Sequence, residues 1–122
     1  MGDLRTKKTH QKYLKLITEG FLVNGCSLCK EAKSIKEFKH WRIIDNRFPW
    51  DRIAQTHHMI VPKRHAIYEK LNEIEKKEFE IIKLGYIEEK YELIAEAVNK
   101  KKSIPQHLHI HLIILKDQIQ TR

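Results

Sequence analysis

The chain is poor in the residues that staple and punctuate a fold. Its 122 residues include only two cysteines, three prolines and four glycines. Two cysteines cannot build the disulfide framework of a small secreted scaffold. Internal repeats and low-complexity linkers are absent. The longest uninterrupted apolar run is Leu112-Ile113-Ile114-Leu115, far short of the ~20 residues a membrane-spanning helix needs. The start is charged and has no apolar stretch of the secretory kind. These absences lead to the expectation of one small, soluble, cytoplasmic protein without a membrane partner.

What is present is apolar content of 41%, enough for one core despite 33% charged residues. Lysine and arginine number 24 against 16 aspartates and glutamates, a net charge of +8. Such a balance suits an anionic partner: a nucleotide, a phosphorylated metabolite or a nucleic acid. The lysines are interspersed with acids, however, and only Lys100-Lys101-Lys102 form a run. No RNA-binding signature accompanies them, so most of this charge reads as solvated surface, with nucleic acid left open. Eight histidines are the unusual expense.

His10, Tyr13, Leu14, Ile17 and Phe21 recur at helical spacing, with Gly20, Asn24 and Gly25 as stop signals. They define an N-terminal amphipathic helix extension over residues 1–24, ahead of a main domain over 25–122. Strands are expected at 38–45 and 55–61, the second closed by Pro62, and a last strand over 106–116. From about Tyr68 to Lys101 the pattern reads as helix, with Ile87, Tyr91, Ile94 and Val98 as its apolar stripe and Gly85 as a break. The order of elements predicts an α+β domain with a mainly antiparallel sheet and helices packed on it.

The most informative segment is His107-Leu108-His109-Ile110-His111-Leu112-Ile113. Strand alternation puts Leu108, Ile110 and Leu112 on the core side and lines the three histidines along the other face. Three imidazoles on one ridge are hard to justify by packing. Imidazole is the side chain best suited to nucleophilic attack, proton transfer and metal ligation near neutral pH.

This segment resembles the signature of the histidine triad (HIT) family, His-φ-His-φ-His-φ-φ with φ apolar, at every position. His57 to Val61 followed by Pro62-Lys63-Arg64-His65 is similar to the family's strand ending in a Pro-Lys-x-His turn. Cys26-Ser27-Leu28-Cys29 resembles the knuckle of the zinc-carrying members, and Ile43-Ile44-Asp45-Asn46-Arg47-Phe48-Pro49 resembles the strand end and loop that meet the nucleoside. The likeness spans about Cys26 to Leu115, so a HIT-like fold is expected there, with the N-terminal helix outside it.

The resemblance implies nucleotidyl transfer through a covalent intermediate. His109 matches the nucleophile that attacks the α-phosphate, and His111 the donor to the phosphoryl oxygens or the leaving group. His57 matches a supporting position near the triad. Asp45 and Asn46 are placed to accept from ribose hydroxyls. A C-x-x-C pair alone supplies two of the four ligands that a closed zinc site needs. Resemblance to the zinc-carrying members supplies His65 and His107, giving a structural zinc on Cys26, Cys29, His65 and His107. A redox role would need a βαβ context that the chain lacks, while two reduced cysteines without metal remain an alternative. A homodimer is expected by the same resemblance. The competing functional reading is a non-catalytic, zinc-stabilised module that binds nucleotide or nucleic acid.

One segment departs from the family. The Gly-rich, Gln-containing stretch that precedes the triad and holds phosphates reads here Lys101-Lys102-Ser103-Ile104-Pro105-Gln106, without glycine. Ser103 and Gln106, with the lysine run, are the substitute phosphate contacts. The strand that often precedes the triad is expected to be short or missing, and the loop from Asn46 to His57 is longer than in compact members.

Overall fold

The computed structural model describes residues 4–19, 25–98, 101–102 and 104–117. Two short helices, α1 (Lys7–Thr18) and α2 (Ser27–Lys30), precede strands β1 (Lys36–Glu37), β2 (Trp41–Asp45) and β3 (Ala54–Pro62). A helical block follows: α3 (Glu73–Ile82), a π turn over Lys83–Ile87 and α4 (Glu88–Lys90). Strands β4 (Leu93–Ala95) and β5 (Ile110–Leu115) complete a five-stranded, wholly antiparallel sheet in the order β1-β2-β3-β5-β4. The fold is α+β. Among the described residues no helix is long and apolar enough to cross a membrane.

The central pair β3–β5 carries the chemistry-bearing residues. Met59 sits opposite His111 and His57 opposite Ile113. One face of the sheet packs Ile43, Ile60, Leu108 and Leu112 under the helical block, with Trp41, Ile82 and Ile87. These side chains are buried, and burying a large apolar side chain contributes roughly 1.5–3 kcal/mol. The other face carries Ile44, Met59 and Val61 against Leu28 of α2, and Ile113 against Trp50 and Ala54. The histidine ridge shares that second face.

The helical block starts at a capping box. The Asn72 side chain accepts from Glu75 N at 2.8 Å, and Glu75 accepts from Asn72 N at 2.9 Å. Glu75 is buried and is held by Arg64 at 2.8 Å. Hydrogen bonding from Arg64 draws its carboxyl below the ordinary range despite burial. This pair ties the turn after β3, which carries His65, to α3.

The expected helix over 68–101 is corrected by the fold. It ends at Lys90, and Tyr91 turns extended. Leu93–Ala95 then pairs with His111–Ile113 as the edge strand β4. The outer edge of β5 offers backbone donors and acceptors that need partners, and a local helical pattern yields to that demand. Ile94 still faces the main core, which is why its spacing mimics a helix stripe. The strand ahead of the triad is therefore present and short. The last strand also starts later than expected, at Ile110. Ahead of it, Leu108 N donates to Ala66 O at 2.8 Å, which leaves the ladder and brings the first triad histidine toward the turn at His65. The second expected strand matches within a residue. The first is shortened to Trp41–Asp45, because residues 38–41 form the turn that joins it to β1, where Glu78 accepts from His40 N at 2.7 Å.

Candidate active site and metal centre

Four ligand atoms converge at one end of the sheet. Cys26 is the N-cap of α2 and Cys29 lies within it, and the chain enters the helix through Gly25 at a φ of 91°, a conformation glycine adopts without penalty. His65 comes from the turn after β3 and His107 from the segment before β5. The distances are 3.4 Å from each sulfur to His107 Nδ1, 3.1 Å from Cys29 Sγ to His65 Nδ1, and 3.2 Å between the two Nδ1 atoms. All four ligand atoms lie within 4.8 Å of one another. Nε2 of His107 faces Pro62 O at 3.0 Å and donates to it, so the single proton of the neutral ring is on Nε2 and Nδ1 carries a lone pair. Three heteroatoms crowd that lone pair, which hydrogen bonding alone does not explain. Tetrahedral bond lengths to sulfur and nitrogen put ligand atoms about 3.3–3.8 Å apart, close to the observed spacing. Cys26, Cys29, His65 and His107 could thus bind a metal ion, and the Pro62 carbonyl is the outer partner that orients one imidazole.

The next two histidines line an open pocket that they share with Ile44, Asn46 and Trp50. His109 Nδ1 lies 3.0 Å from His107 O and donates to it. Its Nε2 therefore holds a lone pair and is left for the pocket. Burial lowers the His109 pKa, which favours that neutral form.

His111 is set by a relay. Trp50 N donates to His57 Nδ1 at 2.9 Å, so the proton of neutral His57 is on Nε2. That nitrogen lies 2.8 Å from His111 Nδ1 and donates to it. His111 then carries its own proton on Nε2, a donor for the pocket. The Asn46 amide nitrogen lies 3.3 Å from His57 Nε2, a contact of two donors rather than a hydrogen bond. Its amide is oriented by Phe48 N, which donates to Asn46 Oδ1 at 2.8 Å. Trp50 stacks against His57 and His111, with ring centroids 4.7 and 4.3 Å apart. Burial pushes His57 down to about 4 and His111 to about 3, with nearby positive charge adding to both shifts. Both stay neutral near pH 7, as the relay requires.

The expected site residues divide clearly. His109, His111, Asp45 and Asn46 share the pocket wall, and His57 stands directly behind His111. Gln106 is exposed in the turn before His107 and is not among the lining residues. The chain has left the strand direction there, and the Gln106 side chain is exposed to solvent. Ser103 and Lys100 lie outside the described residues. Lys101 and Lys102 line the pocket, and Lys102 pairs with Glu96 at 2.8 Å.

Arg5 and Tyr13, from the N-terminal segment, are lining residues that sequence reasoning missed. The segment is latched to the loop before β3. Asp51 accepts from Thr6 N at 2.7 Å, Thr6 Oγ1 at 3.0 Å and Thr9 Oγ1 at 2.5 Å, and Arg52 N donates to Leu4 O at 3.0 Å. Burial raises the Asp51 carboxyl, but the bonds from Thr9 and Thr6 prevail and draw it below its ordinary value. A contact across this sequence distance leaves no local pattern to read.

No protein-family model matches the chain, and none of the curated proteins matches it.

Proposed function

We propose that this protein is a histidine-triad-type nucleotide hydrolase or nucleotidyl transferase, cleaving at an α-phosphate through a nucleotidyl-histidine intermediate. The observation that carries the reading is the pair of tautomers at the pocket: a lone pair on His109 Nε2 beside a proton on His111 Nε2. A nucleophile and a donor side by side are what the reaction needs.

His109 Nε2 attacks the α-phosphorus. A phosphorus–nitrogen bond forms as the bond to the leaving group breaks, and the leaving atom takes that electron pair. His111 Nε2–H stabilises that atom by a hydrogen bond, and the atom takes up a proton from solvent. Water then attacks the same phosphorus and returns a proton to solvent, the phosphorus–nitrogen bond breaks, and His109 regains its lone pair. The sum is substrate plus water giving a nucleoside monophosphate and the protonated leaving group. Asp45 and Asn46 serve the ribose end. The antiparallel sheet is compatible with a HIT-like fold. A cytoplasmic location and a homodimer belong to the same proposal.

Zinc is the metal that two thiolates and two imidazoles suit best. It would be held by Cys26, Cys29, His65 and His107, joining α2 to the sheet and fixing His107, whose carbonyl orients His109. Its role is structural, because all four positions of a tetrahedron are filled by protein.

The test is turnover of adenosine and guanosine phosphoramidates and dinucleoside polyphosphates by the protein and by His109→Ala. The proposal predicts release of nucleoside monophosphate by the first and none by the second. Nucleotide binding without turnover of any compound would favour the non-catalytic module, a reading motivated by the solvent-facing Gln106.

A further inference from the structure

We infer that the exposed face of α1 is a docking surface for single-stranded nucleic acid, held through its phosphate backbone. The inference adds a surface outside the pocket and does not depend on turnover there.

Residues 4–18 hold Arg5, Lys7, Lys8, Lys12 and Lys15 and no aspartate or glutamate, so this segment carries five of the chain's eight net positive charges. Lys7, Lys8, Lys12 and Lys15 are all exposed, and none of the four has an ion-pair partner among the described residues. Other cations of the chain do face acids: Lys63 meets Glu37, Arg64 meets Glu75 and Lys102 meets Glu96. Lys8, Lys12 and Lys15 recur at i, i+4 and i+7, which lines them along one side of the helix. At 1.5 Å per residue the ladder is about 10 Å long.

These lysines do not serve the helix itself. Lys7 and Lys8 fall in its first turn, which holds no acidic residue, and the helix dipole disfavours cations there. Lys8 and Lys12, four residues apart, repel each other. An extended anion laid along the ladder offsets both effects.

The packing of α1 selects which polyanion. A helix that binds an anionic bilayer lays its apolar face into the lipid. Here the aromatic side of the helix is turned to the protein: Tyr13 packs edge-on against Phe48 at 5.2 Å, and Thr6 and Thr9 are held by Asp51. Of the apolar side chains of α1 only Leu14 is exposed. What remains outward is a face of charge, which suits a phosphate backbone whose counterions are released on binding. Arg5 and Tyr13 line the pocket, so a strand on α1 lies beside its mouth. A single strand can bend to follow that path, whereas a duplex is stiff over this length.

The experiment measures binding of fluorescent oligo(dT) and oligo(U), each of about twelve nucleotides, to the full chain across ~50–200 mM salt. Both bind, and log K falls linearly with log salt. Lys8→Gln/Lys12→Gln/Lys15→Gln weakens binding by on the order of tenfold or more and makes the salt slope shallower by roughly 2, at ~0.7 per phosphate contact. Lys39→Gln/Lys70→Gln/Lys77→Gln removes the same charge from exposed lysines outside α1 and leaves affinity and slope nearly unchanged. Equal losses in the two variants overturn the inference, because net charge alone then governs binding. Tighter binding to phosphatidylserine-containing vesicles than to either oligonucleotide, lost in the α1 variant, overturns it in favour of a membrane. AMP and GMP are measured alongside. Mononucleotide binding without oligonucleotide binding overturns this inference and leaves the nucleotide reading standing. Oligonucleotide binding that needs the α1 lysines, without mononucleotide binding, supports this inference and counts against the nucleotide reading.

Discussion

His57 Nε2 lies 2.8 Å from His111 Nδ1, and this contact decides which nitrogen of His111 carries the proton. The backbone N–H of Trp50 fixes the first imidazole, and the first fixes the second. His57 touches no lining space itself, so it acts as a positioning residue. Replacing it with Phe keeps a ring against Trp50 but removes both nitrogens. We expect kcat to fall on the order of 10- to 100-fold with KM little changed. His57→Gln, whose amide can donate to His111, should restore part of the rate. Nitrogen chemical shifts of His111 provide the direct readout: the Nε2–H form should dominate in the parent and lose that dominance in His57→Phe.

The same pair makes folding pH-dependent. Burial holds His57 at about 4 and His111 at about 3, while an unfolded histidine titrates near 6.5. Above pH 6.5 both states are neutral and the stability is fully present. As pH falls below 6.5 the unfolded chain takes protons that the folded chain refuses, and stability drops until the folded values are passed. The steepest slope from two such groups is roughly 2.7 kcal/mol per pH unit. Denaturant unfolding at pH 7.5 and 5.0 checks this. His111→Asn should flatten the dependence, and an undiminished slope in that variant would count against the buried neutral pair.

Metal and stability should be linked. Protein purified without chelator should contain about one zinc per chain, and Cys29→Ser should lose it. Because α2 is anchored to the sheet through these ligands, removing the metal should lower Tm by ~10 °C or more. A metal content near zero would contradict the zinc centre and leave two reduced structural cysteines.

Asp51→Ala tests the latch between α1 and the domain. Three donors lose their acceptor at once, so about 1–3 kcal/mol should be lost. No side chain of α1 is buried, so these bonds are a large part of what holds the helix, beside the ring contact of Tyr13 with Phe48. Limited proteolysis should then cut within residues 4–18 in the variant before it cuts the parent.

The sequence was most legible where one short-range rule applies. Alternation along 107–113 separated Leu108 and Leu112 from the histidines, and the Cys-x-x-Cys spacing with the two histidines anticipated a cluster that long-range folding brings together. It was least legible where pairing across the sheet overrides local pattern. Tyr91, Ile94 and Val98 keep helical spacing, yet β5 draws Leu93–Ala95 into a strand. Arg5 lies in a basic stretch, and only the meeting of Thr6 and Thr9 with Asp51 carries it to the pocket. Gln106 adjoins His107 in sequence, yet it is exposed in the turn while His107 is buried, a difference that adjacency alone does not reveal.

The most direct test of the proposed function is mass spectrometry of the intact protein mixed with an adenosine or guanosine dinucleoside polyphosphate and quenched in alkali, where a phosphorus–nitrogen bond survives. The account predicts an added nucleoside monophosphate group that maps to His109 and is absent from His109→Ala. Turnover with no adduct at His109, or an adduct that persists in His109→Ala, would contradict it.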